Sequence, residues 1–411
     1  MLCQNDIINF LNQRDYDLRK SNNGRWIDQK CAADVVSIVA DCILEYNKEH
    51  LIEPFTTKEI WHNPSTVETV EGVFKKPGVE KKGAKNEYDK FFQQPMEMLA
   101  YSGVLKKVKH GTRNYYTIEA KDVLEYIALR ERNALIFLQA YIEKVLKDSN
   151  IYYVFEKFFQ NPTQGTYEDM KVRYEQFIIH NTKINGKKEC DRIFIKVLNP
   201  LSYYKSTYGT EKGRISKFPI TYDMLMYNRH NFRDIYANKP KGMTRKEYAL
   251  THPIEINNKY YEYLSRRAKR YLRNFNDEVR SGITEYLDGK NIDNNAIHMH
   301  HIFPEAEYPE ISFYIENLIA LTPTQHLSYA HPNGRTKEIS ETYQHLLLLA
   351  KTDRIKENLQ SIDIDHIYDF RNFMYVLRIG FDNEEALDIN YMDFSSVVHF
   401  INYHYSCSTS I

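Results

Sequence analysis

The chain has 411 residues, with 55 Lys plus Arg against 55 Asp plus Glu, so overall charge singles out neither an acidic nor a basic partner and the sign must be read segment by segment. That length exceeds a single core, and a prior of roughly 150 residues per domain predicts two or three. Five scattered cysteines without a CxxC pair argue against a disulfide framework or a paired-cysteine zinc site, and the lack of a membrane-length apolar run or signal-peptide pattern predicts a cytoplasmic protein.

Residues 1–30 join a short amphipathic start, Ile7 to Leu11, to the polar segment 20–24, and read as an arm leading into the first domain. Val35, Val36, Ile38, Val39, Ile43 and Leu44 recur at helical spacing and predict a helix with one buried face. A short capped helix follows from Thr56 to Trp61, a second from Glu87 to Tyr101 bent near Pro95, then strands over 103–109 and 114–118 around His110-Gly111-Thr112-Arg113. Helix, helix, basic hairpin resembles the winged-helix order of DNA-binding domains, which implies that the hairpin is the wing. Lys75, Lys76, Lys81, Lys82 and Lys85 precede the second helix with Glu80 alone opposing them, and the hairpin adds Lys106, Lys107, Lys109 and Arg113. These nine are the candidate DNA contacts, although the same runs suit a solvated surface. Lys85, Asn86, Tyr88, Lys90 and Gln93 are candidates to reach base edges.

A long helix is expected over 121–147, closing a first domain of residues 1–150. Residues 151–250 read as a basic middle region and linker with a strand at Arg192 to Leu198 and a further candidate DNA surface. Between Lys183 and Lys217 nine basic residues face three acidic ones, interleaved with Tyr203, Tyr204 and Tyr208. Arg229 to Lys246 looks like the linker proper. Glu255 to Leu287 is a helical approach whose Arg266, Arg267, Lys269, Arg270 and Arg273 form a basic face suited to holding a duplex, or to surface ion pairs. A helix is expected from Lys337 to Leu349, and an acidic end over 362–393 that should lie off DNA.

The stretch from Ile297 to Arg335 holds five of the fifteen histidines, His298, His300, His301, His326 and His331. Ile297 to Phe303 alternates and is stopped by Pro304, which predicts a short strand placing His300 and His301 on opposite faces. Leu318 to Leu321 is a second strand. Thr322-Pro323 then looks like an N-cap followed by proline at the first helical position, which puts His326 on the first turn of a helix.

Strand, loop, strand, helix with these residues resembles the HNH (ββα-metal) nucleases. The resemblance implies that His300 and His326 bind a divalent metal, that His301, followed by Ile302-Phe303-Pro304, is the general base, and that Asn317 orients the ring of His301. Mg²⁺ is the ion expected first, with Mn²⁺, Ni²⁺ or Zn²⁺ as others, because two protein ligands leave an open site for phosphate chemistry. His331 is a further candidate for a metal or phosphate contact, at a spacing from His326 that is poor for an α-helix.

The expected architecture is α+β and multidomain: a winged-helix-like recognition domain, a basic middle region, and an HNH nuclease domain over residues 251–411. The segment NLIALTPTQHLSYAHPNG, with RKSNNGRWIDQK near the N-terminus, is similar to type II restriction endonucleases carrying HNH sites, including the MboII-like type IIS group. That resemblance implies double-stranded DNA as substrate, a cognate DNA methyltransferase in the same system, and a homodimer on DNA or sequential nicking to cut the second strand. Two other readings stay open, an endonuclease dependent on modified bases and a DNA-binding protein with a structural metal cluster.

Overall fold

The computed structural model describes residues 2–50, 54–74, 76, 78–80, 84–227, 240, 251, 258–287, 289, 295–331, 339–362, 364 and 366–408. The chain is mostly helical, with three two-stranded antiparallel sheets among the described residues, an α+β composition. It divides into two compact units, Leu2–Ile256 and Asn257–Ile411. No helix among the described residues is long and apolar enough to cross a membrane. Cys3, Cys31, Cys42 and Cys190 are free thiols.

The N-terminal unit is built on the helix Ala33–His50, whose apolar face is fully buried. Phe55 follows as a single bridging residue, exchanging backbone hydrogen bonds with Tyr116 at 2.9 and 2.8 Å. The helix Thr57–His62 starts at a capping box, in which Thr56 and Glu59 each satisfy the other's backbone N–H. After Pro64–Phe74 comes Ala84–Tyr101, pinned by the Trp61 Nε1–H donating to Asp89 Oδ1 at 3.0 Å. Gly103, at φ +85°, ends that helix in a left-handed turn that lets the Val104 N–H reach the Leu99 carbonyl. The chain then enters strand β1, Leu105–His110, which pairs with β2, Arg113–Ile118.

Three expectations for this unit are corrected. Residues 1–30 are no arm: Tyr16, Trp26 and Ile27 are fully buried, Tyr16 donates to the Ser102 carbonyl at 2.8 Å, and Tyr141 donates to the Trp26 carbonyl at 2.7 Å. The helix expected over 121–147 is two, Lys121–Leu129 and Glu131–Asp148, broken at Arg130, whose backbone is extended (φ −162°, ψ 159°). Asn133 holds the break by accepting from Arg130 Nε at 2.9 Å and donating to the Tyr126 carbonyl at 3.0 Å. The expected strand at 192–198 is the helix Lys187–Tyr204, which buries Cys190, Ile193, Phe194, Val197, Leu198 and Leu201 at helical spacing and packs on Glu131–Asp148. A hairpin of β3 (Tyr208–Glu211) and β4 (Arg214–Pro219) follows it. The described part of 151–250 therefore belongs to the N-terminal unit, whereas the segment 229–246, read as a linker, lies outside the described residues except for Pro240.

The C-terminal unit opens with the 23-residue helix Asn258–Arg280. Strands β5 (His298–His301) and β6 (Leu318–Leu321) pair antiparallel, with His300 opposite Ile319 and His301 opposite Leu318. The helix expected from Lys337 runs from Glu341 to Gln360, capped by Ser340. Phe370–Phe381 and Phe394–Ser408 complete the unit, and Gly380 lets the Phe303 ring pack where a Cβ would sit 2.3 Å from it.

Candidate metal centre

Alternation along β5 sorts the histidines by face. His298 and His300 point to one side, His301 to the other. Thr322 Oγ1 accepts from the Gln325 N–H at 3.2 Å, starting a helical turn at Pro323 as the sequence predicts. That turn becomes a π-helix over Gln325–Ala330. In an α-helix, residues five apart lie about 140° from one another around the axis. The π-helix, whose backbone hydrogen bonds span five residues, widens the turn up to Ala330, and His331, at its extended C-cap, meets His326 on one side. The spacing that looked poor in sequence is the one this turn needs.

His300, His326 and His331 thus converge, each offering a ring nitrogen within 4.8 Å of the others. His300 and His331 are buried, and His326 is half-buried. His300 Nε2 is buried with no hydrogen-bond partner among the described residues. Burial, followed by the neighbouring His326 and His331, holds His300 well below the ordinary histidine value, and burial with His331 and His298 pushes His326 down to about 4. Neutral imidazoles with inward lone pairs are the form that ligates a cation. His298 Nδ1 lies 2.9 Å from His326 Nδ1, so one of the two carries the bridging hydrogen; when His326 donates it, His326 Nε2 keeps its lone pair for an ion.

His301 occupies a separate pocket. Its Nε2 is 2.9 Å from the Ser312 carbonyl and 3.2 Å from Ser265 Oγ. A carbonyl can only accept, so Nε2 carries the hydrogen and Nδ1 keeps a lone pair. Glu305 Oε2 lies 3.7 Å from that Nδ1. Burial, then the charge of Lys269, pushes His301 down to about 3.

Among the described residues, Asn317 makes no hydrogen bond to the His301 ring. Its Oδ1 accepts from the Phe303 N–H at 2.8 Å, and its Nδ2 donates to the carbonyls of Phe303 at 3.0 Å and Ile311 at 3.3 Å. It ties both ends of the loop joining the strands, and so fixes where β5 ends and where Ser312 meets His301. Behind β6, the buried Glu285 accepts from the Ala320 N–H at 2.7 Å, from Lys351 Nζ at 3.1 Å and from Tyr368 OH at 3.0 Å. Ser265, Ser312, Glu305 and Glu285 were not singled out in sequence, because nothing local marks a lone serine or glutamate as a neighbour of a distant histidine.

In the N-terminal unit, Lys85, Asn86, Lys90 and Gln93 are exposed along one side of Ala84–Tyr101, whereas Tyr88 is fully buried and cannot reach a base. Lys106, Lys109 and Arg113 are exposed on the hairpin. Lys107 is held by Glu97 at 2.6 Å, a carboxylate that also accepts from Asn114 and Tyr116 and so fastens the hairpin to the helix. Lys76 is turned inward, donating to Tyr227 OH at 2.9 Å and pairing with Glu87, which removes it from the candidate DNA contacts. Lys75, Lys81 and Lys82 lie outside the described residues.

Comparison with protein-family models, curated protein sequences and solved structures returns no match for this chain.

Proposed function

We propose that the chain is a metal-dependent endonuclease of double-stranded DNA, of the HNH type, with His301 as the general base. The observation that carries this reading is the division across one strand: three imidazoles converge on one face of β5, and a fourth, with its Nδ1 lone pair free of the Ser312 bond, sits on the other. Hydrolysis needs both, a cation for developing charge and a separate base for water.

The orphaned Nε2 of His300 and the convergent ring nitrogens fit a resident ion. Held by His300, His326 and His331, it would stabilise negative charge developing on the phosphate and the departing 3′-oxygen. An all-nitrogen donor set argues for Zn²⁺ or Ni²⁺ over the Mg²⁺ expected from the sequence, because magnesium, like manganese, favours oxygen ligands. His301 Nδ1 takes a proton from water as the water oxygen bonds to phosphorus and the P–O3′ bond breaks, leaving a 5′-phosphate and a 3′-hydroxyl that is protonated from solvent. An anionic phosphate beside His301 favours the imidazolium and so raises a base that burial otherwise holds down. Ser312 fixes the tautomer throughout.

The order of the N-terminal unit supports a winged-helix-like reader. A bridging residue, two helices, a third helix with an exposed polar side and a two-stranded hairpin follow one another, and Phe55 pairs with the second hairpin strand. A reader and a cutter in separate units fit a type II restriction endonuclease, including one that cuts at an offset from its site, with a cognate methyltransferase protecting the host DNA.

Incubation with unmethylated plasmid and phage DNA, supplying Zn²⁺, Ni²⁺, Mn²⁺ and Mg²⁺ in turn, is expected to give discrete fragments that are lost with EDTA and in His301→Ala. End sequencing then reads the recognised bases and the offset. Intact DNA under every metal, with folded protein still binding duplex, would overturn the catalytic reading. The contact between His298 and His326 would then favour a closed structural zinc site, whose removal lowers the melting temperature with no cleavage to lose.

A further inference from the structure

Lys269 and Ser265 stand four residues apart on the helix Asn258–Arg280, and so share one of its faces. Ser265 touches His301 Nε2, which places this face over the base. The Lys269 side chain is about one-third exposed, with Nζ 3.9 Å from Glu305 Oε2. The same Glu305 oxygen is 3.7 Å from His301 Nδ1. A single anionic oxygen therefore sits between the lone pair of the base and an ammonium, at distances longer than hydrogen bonds to either. Burial holds the Lys269 ammonium below the ordinary lysine value, and the Glu305 carboxylate opposes that shift. The cation is kept close to the reacting side of His301 by a partner that grips it loosely.

We propose that Lys269 is a catalytic residue that binds a non-bridging oxygen of the scissile phosphate, and that Glu305 occupies that oxygen's place until the substrate displaces it. This rests on the endonuclease reading and adds to it. Negative charge accumulates on the non-bridging oxygens during attack, and a fixed ammonium beside them strengthens its interaction as the transition state forms. Displacing Glu305 also removes a carboxylate that would repel the incoming phosphate, and leaves Lys269 and His301 facing the same anion.

Cleavage of a plasmid, or of a duplex carrying the mapped site, by the full chain and its variants separates the roles. Lys269→Met is expected to lower kcat by about 10²–10³-fold with metal affinity and melting temperature unchanged. Lys269→Arg should recover most of that loss, and Glu305→Gln should lower KM severalfold. The double variant Lys269→Met with Glu305→Gln should be as slow as Lys269→Met alone. Recovery of the wild-type rate in the double variant would mean that Lys269 only balances Glu305, and would overturn the proposal, as would an undiminished kcat in Lys269→Met. If His301→Ala cleaves as fast as wild type, the general-base assignment falls and the Lys269 comparison still decides the phosphate contact. Should no cleavage occur at all, the salt dependence of duplex binding decides instead: a slope unchanged by Lys269→Met excludes the contact.

Discussion

Every hydrogen-bonding position of the Asn317 amide that the loop can use is filled, by one backbone N–H and two carbonyls of the loop it closes. The residue is fully buried, so its loss leaves those groups without water to replace it. Asn317→Asp keeps the shape but turns an acceptor toward two carbonyl oxygens, and is expected to destabilise the C-terminal unit by roughly 2–4 kcal/mol, read by chemical denaturation. Cleavage should fall further than metal affinity, because the loop carries Ser312 to His301 while His300 and His326 stand on paired strand and helical turn. A variant that cleaves and melts like wild type would show that strand pairing alone sets the base. The sequence identified Asn317 as the residue that orients His301, and the structure assigns it to the backbone on which that orientation depends.

At the level of elements, the strand, the second strand and the capped turn were legible because each carries a short-range signal: alternation ended by Pro304, an apolar run, and Thr322 before Pro323. The π-helix was not legible. Its hydrogen bonds span five residues, and a period of 3.6 assumed in advance places the His331 ring on the wrong side. The register is testable by changing chain length. Deleting Leu327, an exposed residue of the turn, leaves His326 and His331 four apart, the spacing an ordinary α-turn brings onto one face. Metal affinity measured by chelator competition should stay within about threefold of wild type if the turn relaxes to α geometry. Inserting one alanine after Ser328 instead carries His331 past the cluster, and affinity should drop by more than the roughly 10–100-fold typical of losing a supporting residue. Unchanged affinity in both variants would mean that His331 does not contribute a ligand.

Across the whole molecule, what escaped the sequence depends on partners distant along the chain. Arg192 to Leu198 is a dense run of β-branched and apolar residues that fits a strand as well as a buried helix, and the apolar Cys190 and Leu201 beyond its ends extend the helical period. Residues 1–30 looked like an arm because the partners of Tyr16 and Trp26 lie more than eighty positions away. The division into Leu2–Ile256 and Asn257–Ile411 yields a prediction about how affinity and chemistry separate. Replacing the exposed Lys106, Lys109 and Arg113 together by glutamine should weaken duplex binding alike for all sequences. It should also reduce the slope of log affinity against log salt by about 0.9 for each phosphate that the hairpin no longer neutralises. Asn86→Ala or Gln93→Ala, on the exposed side of Ala84–Tyr101, should instead change which bases are preferred while leaving the salt slope in place. Metal affinity should be unaltered in all of these, since the candidate ligands belong to the other unit. If the triple variant binds duplex with an unchanged salt slope, the hairpin is no wing, and the DNA surface is to be sought instead on the basic side of Asn258–Arg280, where Arg266, Arg270 and Arg273 are exposed.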